Sequence, residues 1–174
     1  MKKANLILIS FILLILGCEK SSQLNQEITS LEDELILVGK IDLQGLSEEP
    51  YAVWFNENYM NYTVDMASLE GANLDDIHIK MFLGTWCSDS QLQVPQFYKI
   101  LTALEFDKSR LEMTGLEKQA NGDLTSPQKE EDGLDIGFVP TMIFYRDGEE
   151  IGRIIEFPEE SLEKDLARIV NNTN

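Results

Sequence analysis

The chain has 174 residues, 43% hydrophobic and 26% charged, enough for one domain with a sizeable core plus a short extra segment. That balance excludes a disordered chain and a polytopic membrane protein. Fourteen Lys+Arg against 31 Asp+Glu give a formal charge of −17 with no basic cluster, which excludes a nucleic-acid partner and predicts a well-solvated acidic surface.

Met1-Lys2-Lys3 precedes an apolar run over residues 6–16, in which Ser10 is the one polar member. The run is shorter than the about 20 residues a spanning helix needs and has the layout of a secretory signal. It closes on Ile15-Leu16-Gly17-Cys18, which resembles the lipobox of bacterial lipoproteins. The resemblance implies cleavage before Cys18, lipid on Cys18, and a membrane partner reached through that lipid. Residues 1–17 are thus expected to be a lipoprotein signal peptide. Glu19 follows Cys18 where an aspartate would hint at inner-membrane retention, so an outer-membrane anchor facing the periplasm is expected. With Cys18 lipidated, Cys87 is the last free thiol and no intramolecular disulfide can form. An unpaired cysteine is unusual in an exported protein, because the compartment oxidises thiols.

Residues 18–34 are polar, with Ser21, Ser22, Gln23, Asn25 and Gln26, and read as the lipidated N-terminus and a flexible tether. Ile28 and Leu31 also suit a short helical turn within it. Residues 35–174 form the expected domain. Residues 35–43 are rich in β-formers and end before Gly45, which predicts a strand. Ser47-Glu48-Glu49-Pro50 then reads as a helix start with acids in its first turn, followed by Tyr51, Trp54, Phe55, Tyr59 and Tyr62 at roughly helical spacing. These aromatics suit a sugar- or peptide-binding face; a helix packed on a sheet accounts for them equally, and the core reading is preferred.

Residues 77–83 alternate as a strand, with Ile77, Ile79, Met81 and Leu83 on one face and His78, Lys80 and Phe82 on the other. The turn Gly84-Thr85-Trp86-Cys87 follows. Leu92, Val94, Phe97, Tyr98, Leu101 and Leu104 then mark a helix containing Pro95, which should kink it. This order puts Cys87 at a helix N-terminus, where unpaired N–H groups and the helix dipole favour a thiolate. Asp89 opposes that effect.

Residues 110–116 read as a shorter strand and 121–135 as a polar loop or a short irregular helix. Val139-Pro140-Thr141 opens an apolar strand, and proline at such a position suggests a cis bond. Asp147-Gly148 predicts a type I′ hairpin, with a return strand over 150–156. The last helix is expected to carry Pro158 at its first position and Glu159 and Glu160 in its first turn, with Leu162, Leu166, Ile169 and Val170 on one face.

Trp86-Cys87 at a helix start, Pro95 in that helix, Val139-Pro140-Thr141 and the Asp147-Gly148 hairpin with Gly152 together resemble the thioredoxin superfamily, in the style of its lipid-anchored bacterial members. The resemblance implies an α/β, thioredoxin-like three-layer sandwich with a central mixed β-sheet flanked by helices. It makes Cys87 the nucleophile, Trp86 the surface beside it, and Val139 and Pro140 the substrate-docking edge. Two departures qualify this. The usual Cys-x-x-Cys is here Cys87-Ser88-Asp89-Ser90, so the resolving thiol is missing and Ser90 can at most donate a hydrogen bond to the thiolate. The family's buried acid corresponds to Met81.

Cys87 and Ser90 are therefore the candidate catalytic residues of a monothiol thiol–disulfide exchange protein. Its partners would be exported protein thiols or disulfides and an external thiol reductant. The alternative is a catalytically inactive binding module for an exported polypeptide. No cofactor is expected: Cys87, His78 and the methionines lack metal-ligand spacing, and a Gly-rich phosphate cradle is absent. A peroxidase would need cationic help that Ser88-Asp89-Ser90 does not give. Asp75-Asp76 and Glu130-Glu131-Asp132 read as solvated turns.

Overall fold

The computed structural model describes residues 23–172. The signal-like run and Cys18 lie outside the described residues. Strand β1 (Gln26–Thr29) pairs antiparallel with β2 (Leu35–Ile41), Gln26 facing Val38 and Thr29 facing Leu35. The part of the tether around Ile28 is therefore a sheet strand and not a helical turn. Its turn closes on Ser30 Oγ, which accepts from the backbone N–H groups of Glu32 and Glu34.

A short helix α1 (Leu43–Leu46) follows, capped by Asp42. Next comes α2 (Tyr51–Asn61), whose flanking residue Pro50 follows a cis bond from Glu49. Glu48 and Glu49 thus precede the helix and do not occupy its first turn. Tyr51 and Phe55 are buried in the main core, and Trp54, Tyr59 and Tyr62 pack against it, as the core reading of the aromatics requires.

Strand β3 (Ile77–Leu83) leads through the site turn into α3 (Ser88–Ala103), which contains Pro95, and then to β4 (Leu111–Gly115). A strand, a crossover helix and a parallel return strand form one βαβ unit: β3 and β4 are parallel, with Met81 opposite Met113. A small antiparallel pair, β5 (Glu117–Lys118) and β6 (Leu124–Thr125), follows β4, and within the expected loop of 121–135 only Leu124–Thr125 is strand. The chain re-enters the sheet at β7 (Thr141–Arg146) and turns into β8 (Glu149–Ile155). Asp147 and Gly148 both have positive φ, 52° and 83°, as a type I′ turn demands.

The six-stranded sheet runs β1-β2-β4-β3-β7-β8 and is mixed, with β3 parallel to β4 and antiparallel to β7. Helix α4 (Leu162–Asn171) starts later than its proline suggests. Ser161 is the N-cap, its Oγ accepting from Lys164 N–H, and Glu163 and Asp165 fill the first turn. Glu163 is buried because it accepts from the Tyr62 hydroxyl at 2.7 Å and from Asp65 N–H at 3.1 Å, fixing the segment after α2 to α4.

The pleat of β3 separates two cores. Ile77, Ile79, Met81 and Leu83 join the large cluster with residues of α2, α3 and α4, whereas Phe82 points into a smaller one with Leu116, Val139 and Ile143. The segment 116–139 covers that second face through Leu124, Leu134 and Ile136. This is a thioredoxin-like arrangement, a central mixed sheet flanked by helices, and it brings the end of β3 beside the start of β7.

Candidate functional site around Cys87

Cys87 is the N-cap of α3, with φ −90° and ψ 123°, and its carbonyl accepts the first helical bond from Gln91 N–H at 2.9 Å. Ser88 begins the helix with Asp89 in its first turn, so the thiol sits where α3 leaves N–H groups without intrahelical partners. The turn that delivers it is tied on three sides. Cys87 N–H donates to the Gly84 carbonyl at 2.9 Å, buried Thr85 Oγ1 accepts from Leu37 N–H of β2 at 3.1 Å, and Gln91 Nε2 donates to the Thr85 carbonyl at 2.7 Å.

Trp86 lies across Gly84, where a Cβ would stand 2.7 Å from the indole, so a glycine is needed for that approach. The indole Nε1–H donates to the Leu116 carbonyl at 2.8 Å, and Lys118 Nζ stands 5.9 Å from the ring centroid. Trp86 and Cys87 are both half-buried against the smaller core.

The Val139-Pro140 bond is cis, and the Cys87 thiol donates to the Val139 carbonyl across 3.4 Å. Cys87, Trp86 and Val139 thus meet in one cleft of about 250 Å³, walled also by Lys118, Phe138 and Glu156. Phe138 is 57% exposed at this wall. Ser90 makes no hydrogen bond to the sulfur: it is fully buried, and its Oγ accepts from Gly84 N–H at 3.2 Å. Its hydroxyl braces the turn from beneath. Met81 is buried in the large cluster, so the strand leading to the site brings no carboxylate under it.

Side chains at the site that the sequence does not single out include Thr85, Gln91, Lys118, Phe138, Glu156 and Gln93, whose Nε2 donates to the Glu156 carbonyl. Gln93 had a visible signal, because it is polar at a position the helical repeat of Val94, Phe97 and Leu101 assigns to the buried face. Glu156 had none, since its place depends on how β8 ends. Lone His78 is exposed on β3, away from Cys87. Among the described residues Cys87 is the one free thiol and no group of ligating side chains could hold a metal ion. No described helix is long and apolar enough to cross a membrane.

No protein-family model matches the chain, and no curated protein matches it. Solved structures with some likeness include mitochondrial thioredoxin 3 from Saccharomyces cerevisiae, 20% identical over 56% of this chain and 86% of that one, TM-score 0.33. Thioredoxin f2 from Chlamydomonas reinhardtii is 19% identical over 51% and 73%, TM-score 0.31. A Pseudomonas aeruginosa protein of unknown function is 15% identical over 68% and 78%, TM-score 0.41. The thioredoxin-like fold is carried by the strand order and connections of this chain.

Proposed function

We propose that this chain is a lipid-anchored thioredoxin-like protein of the bacterial cell envelope that performs monothiol thiol–disulfide exchange through Cys87. One observation supports the reading above the others: a half-buried thiol caps α3 and faces the Val139 carbonyl in an open cleft. In the exchange, the Cys87 thiolate attacks one sulfur of a client disulfide. A Cys87–client S–S bond forms, the client's own S–S bond breaks, and the electron pair leaves on the second client sulfur, which takes up a proton. One disulfide replaces another, so the step needs no oxidant.

Ser90 offers a hydroxyl where a resolving thiol would stand, so release falls to an external thiol reductant that attacks the mixed disulfide and restores Cys87. Trp86 shapes the cleft, and Val139-Pro140 is the edge along which an exported polypeptide lies. In this reading Cys18 carries the lipid, residues 1–17 are removed, and the domain faces the periplasm from the outer membrane.

The test incubates the protein with a peptide disulfide and looks for a Cys87-dependent adduct. A mixed disulfide that collapses on reduction and disappears in Cys87→Ala is expected. No adduct under oxidising conditions, together with slow reaction of Cys87 with a thiol reagent, would overturn the proposal. Exposed Phe138 beside Trp86 favours a second reading, a binding module that holds a polypeptide without exchange. Equal peptide affinity in wild type and Cys87→Ala, with no adduct in either, selects it. Incorporation of labelled fatty acid that vanishes in Cys18→Ala tests the anchor.

A further inference from the structure

Gln93 lies six residues beyond Cys87 on α3 and is only 4% exposed. Its Nε2 donates to the carbonyl of Glu156. Glu156 N–H in turn donates to the Pro140 carbonyl at 2.7 Å, and the neighbouring Val139 carbonyl accepts from the Cys87 thiol at 3.4 Å. A closed ring results: from Cys87 along α3 to Gln93, across to Glu156, across to Pro140, and back through Val139 to the sulfur.

Two features of this ring are costly for packing alone. Gln93 Oε1 is buried with no hydrogen-bond partner, so an apolar side chain of the same length would be more stable if filling space were its only task. Glu156 has φ +57°, the left-handed region that favours glycine, and such strain persists only where the surroundings hold it. The Gln93 amide is the side chain that grips it. Glu156 also walls the cleft that contains Cys87.

We infer that Gln93 is a positioning residue for the exchange site, holding Glu156 and through it the Val139-Pro140 edge at the distance from Cys87 that a client chain requires. The inference rests on the exchange reading above. It predicts a split between substrates, since a small disulfide needs only the sulfur whereas a peptide disulfide needs the edge as well.

The test uses the full chain and Gln93→Met, which keeps length and apolar volume and removes the donor. Hydrogen exchange at Glu156 N–H should quicken by about tenfold or more, because its local opening no longer breaks the Gln93 bond. The rate with a peptide disulfide should fall about ten- to a hundredfold, as for a small misplacement of a docked substrate, while the rate with a small aromatic disulfide stays within about twofold. Unchanged exchange at Glu156 N–H in folded Gln93→Met, or equal slowing with both disulfides, overturns the inference. If wild type forms no adduct with either disulfide, the exchange reading fails, and exchange at Glu156 N–H still decides whether Gln93 holds the loop. Gln93→Glu provides a second route should Gln93→Met not fold. Its carboxyl donates to the Glu156 carbonyl only when protonated, so protection of Glu156 N–H relative to other slow amides should rise as pH falls. A ratio flat with pH overturns the inference.

Discussion

Gly84→Ala adds one methyl group to the site turn and tests how the indole is placed. Gly84 is not among the glycines with positive φ, so alanine meets no backbone strain there and the Cβ is the whole perturbation. That Cβ would stand 2.7 Å from Trp86 Cε2, 2.8 Å from Nε1 and 3.0 Å from Cζ2. Carbon atoms rest at about 3.5–4.0 Å, so the ring must move by roughly an ångström. The indole is rigid and bonded to the Leu116 carbonyl, so moving it breaks that bond. Overpacking costs about 1–3 kcal/mol and the lost hydrogen bond about 1 kcal/mol, giving about 2–4 kcal/mol. In a chain of this size the loss lowers Tm by at least about 4 °C.

The assay is urea unfolding followed by tryptophan fluorescence, in wild type, Gly84→Ala, Trp86→Ala and the double variant. With the indole gone, the extra methyl has nothing to strike, so Gly84→Ala should cost less than about 0.5 kcal/mol in the Trp86→Ala background. Costs that simply add across the two positions would refute the account of Gly84 as the space the indole requires.

Ser90→Cys supplies the missing second thiol; it should form a reducible intramolecular disulfide with Cys87 and shorten the life of client adducts, as mass spectrometry of trapped species would read, and a folded variant with unchanged adduct lifetime counts against exchange chemistry. Thr85→Val leaves Leu37 N–H buried without its acceptor and should cost about 1–3 kcal/mol in urea unfolding, with Thr85→Ser markedly milder; equal losses would mean that packing, not the bond, matters. Burial first, and then its hydrogen bond to Glu163, hold the Tyr62 hydroxyl protonated well above the ordinary phenol range. Its folded pKa exceeds its unfolded one, so this contribution is complete below about pH 10 and is lost as pH rises beyond. Tyr62→Phe should therefore flatten the alkaline fall of stability, measured by urea unfolding across that range, and an unaltered slope would show that another group carries it.

The site was legible where chemistry is local. Cys87 after a strand and before an amphipathic run specifies a helix cap, Asp147-Gly148 specifies its turn, and a proline opening a strand marked Val139-Pro140. Legibility failed where tertiary partners decide. Gln26-Glu27-Ile28-Thr29 has one apolar residue and no alternation; it is a strand because β2 offers its backbone in register. Pro158 has the form of a helix start, yet Ser161 wins because its hydroxyl reaches Lys164 N–H. The work done by Ser90 was hidden for the same reason: only the folded turn shows that Gly84 N–H needs its oxygen.

The pairing of β1 also sets a length. Gln26 is already in the sheet, and Cys18 stands eight positions before it. A fully extended chain gains at most about 3.6 Å per residue, so the leash between a lipid on Cys18 and the edge of the sheet would measure no more than about 29 Å. That is about the width of a small domain. Under the proposed anchoring, the protein patrols a shell next to the bilayer and has no reach beyond it. Its clients would be polypeptides that pass along the membrane surface, met at a high local concentration and in a restricted orientation.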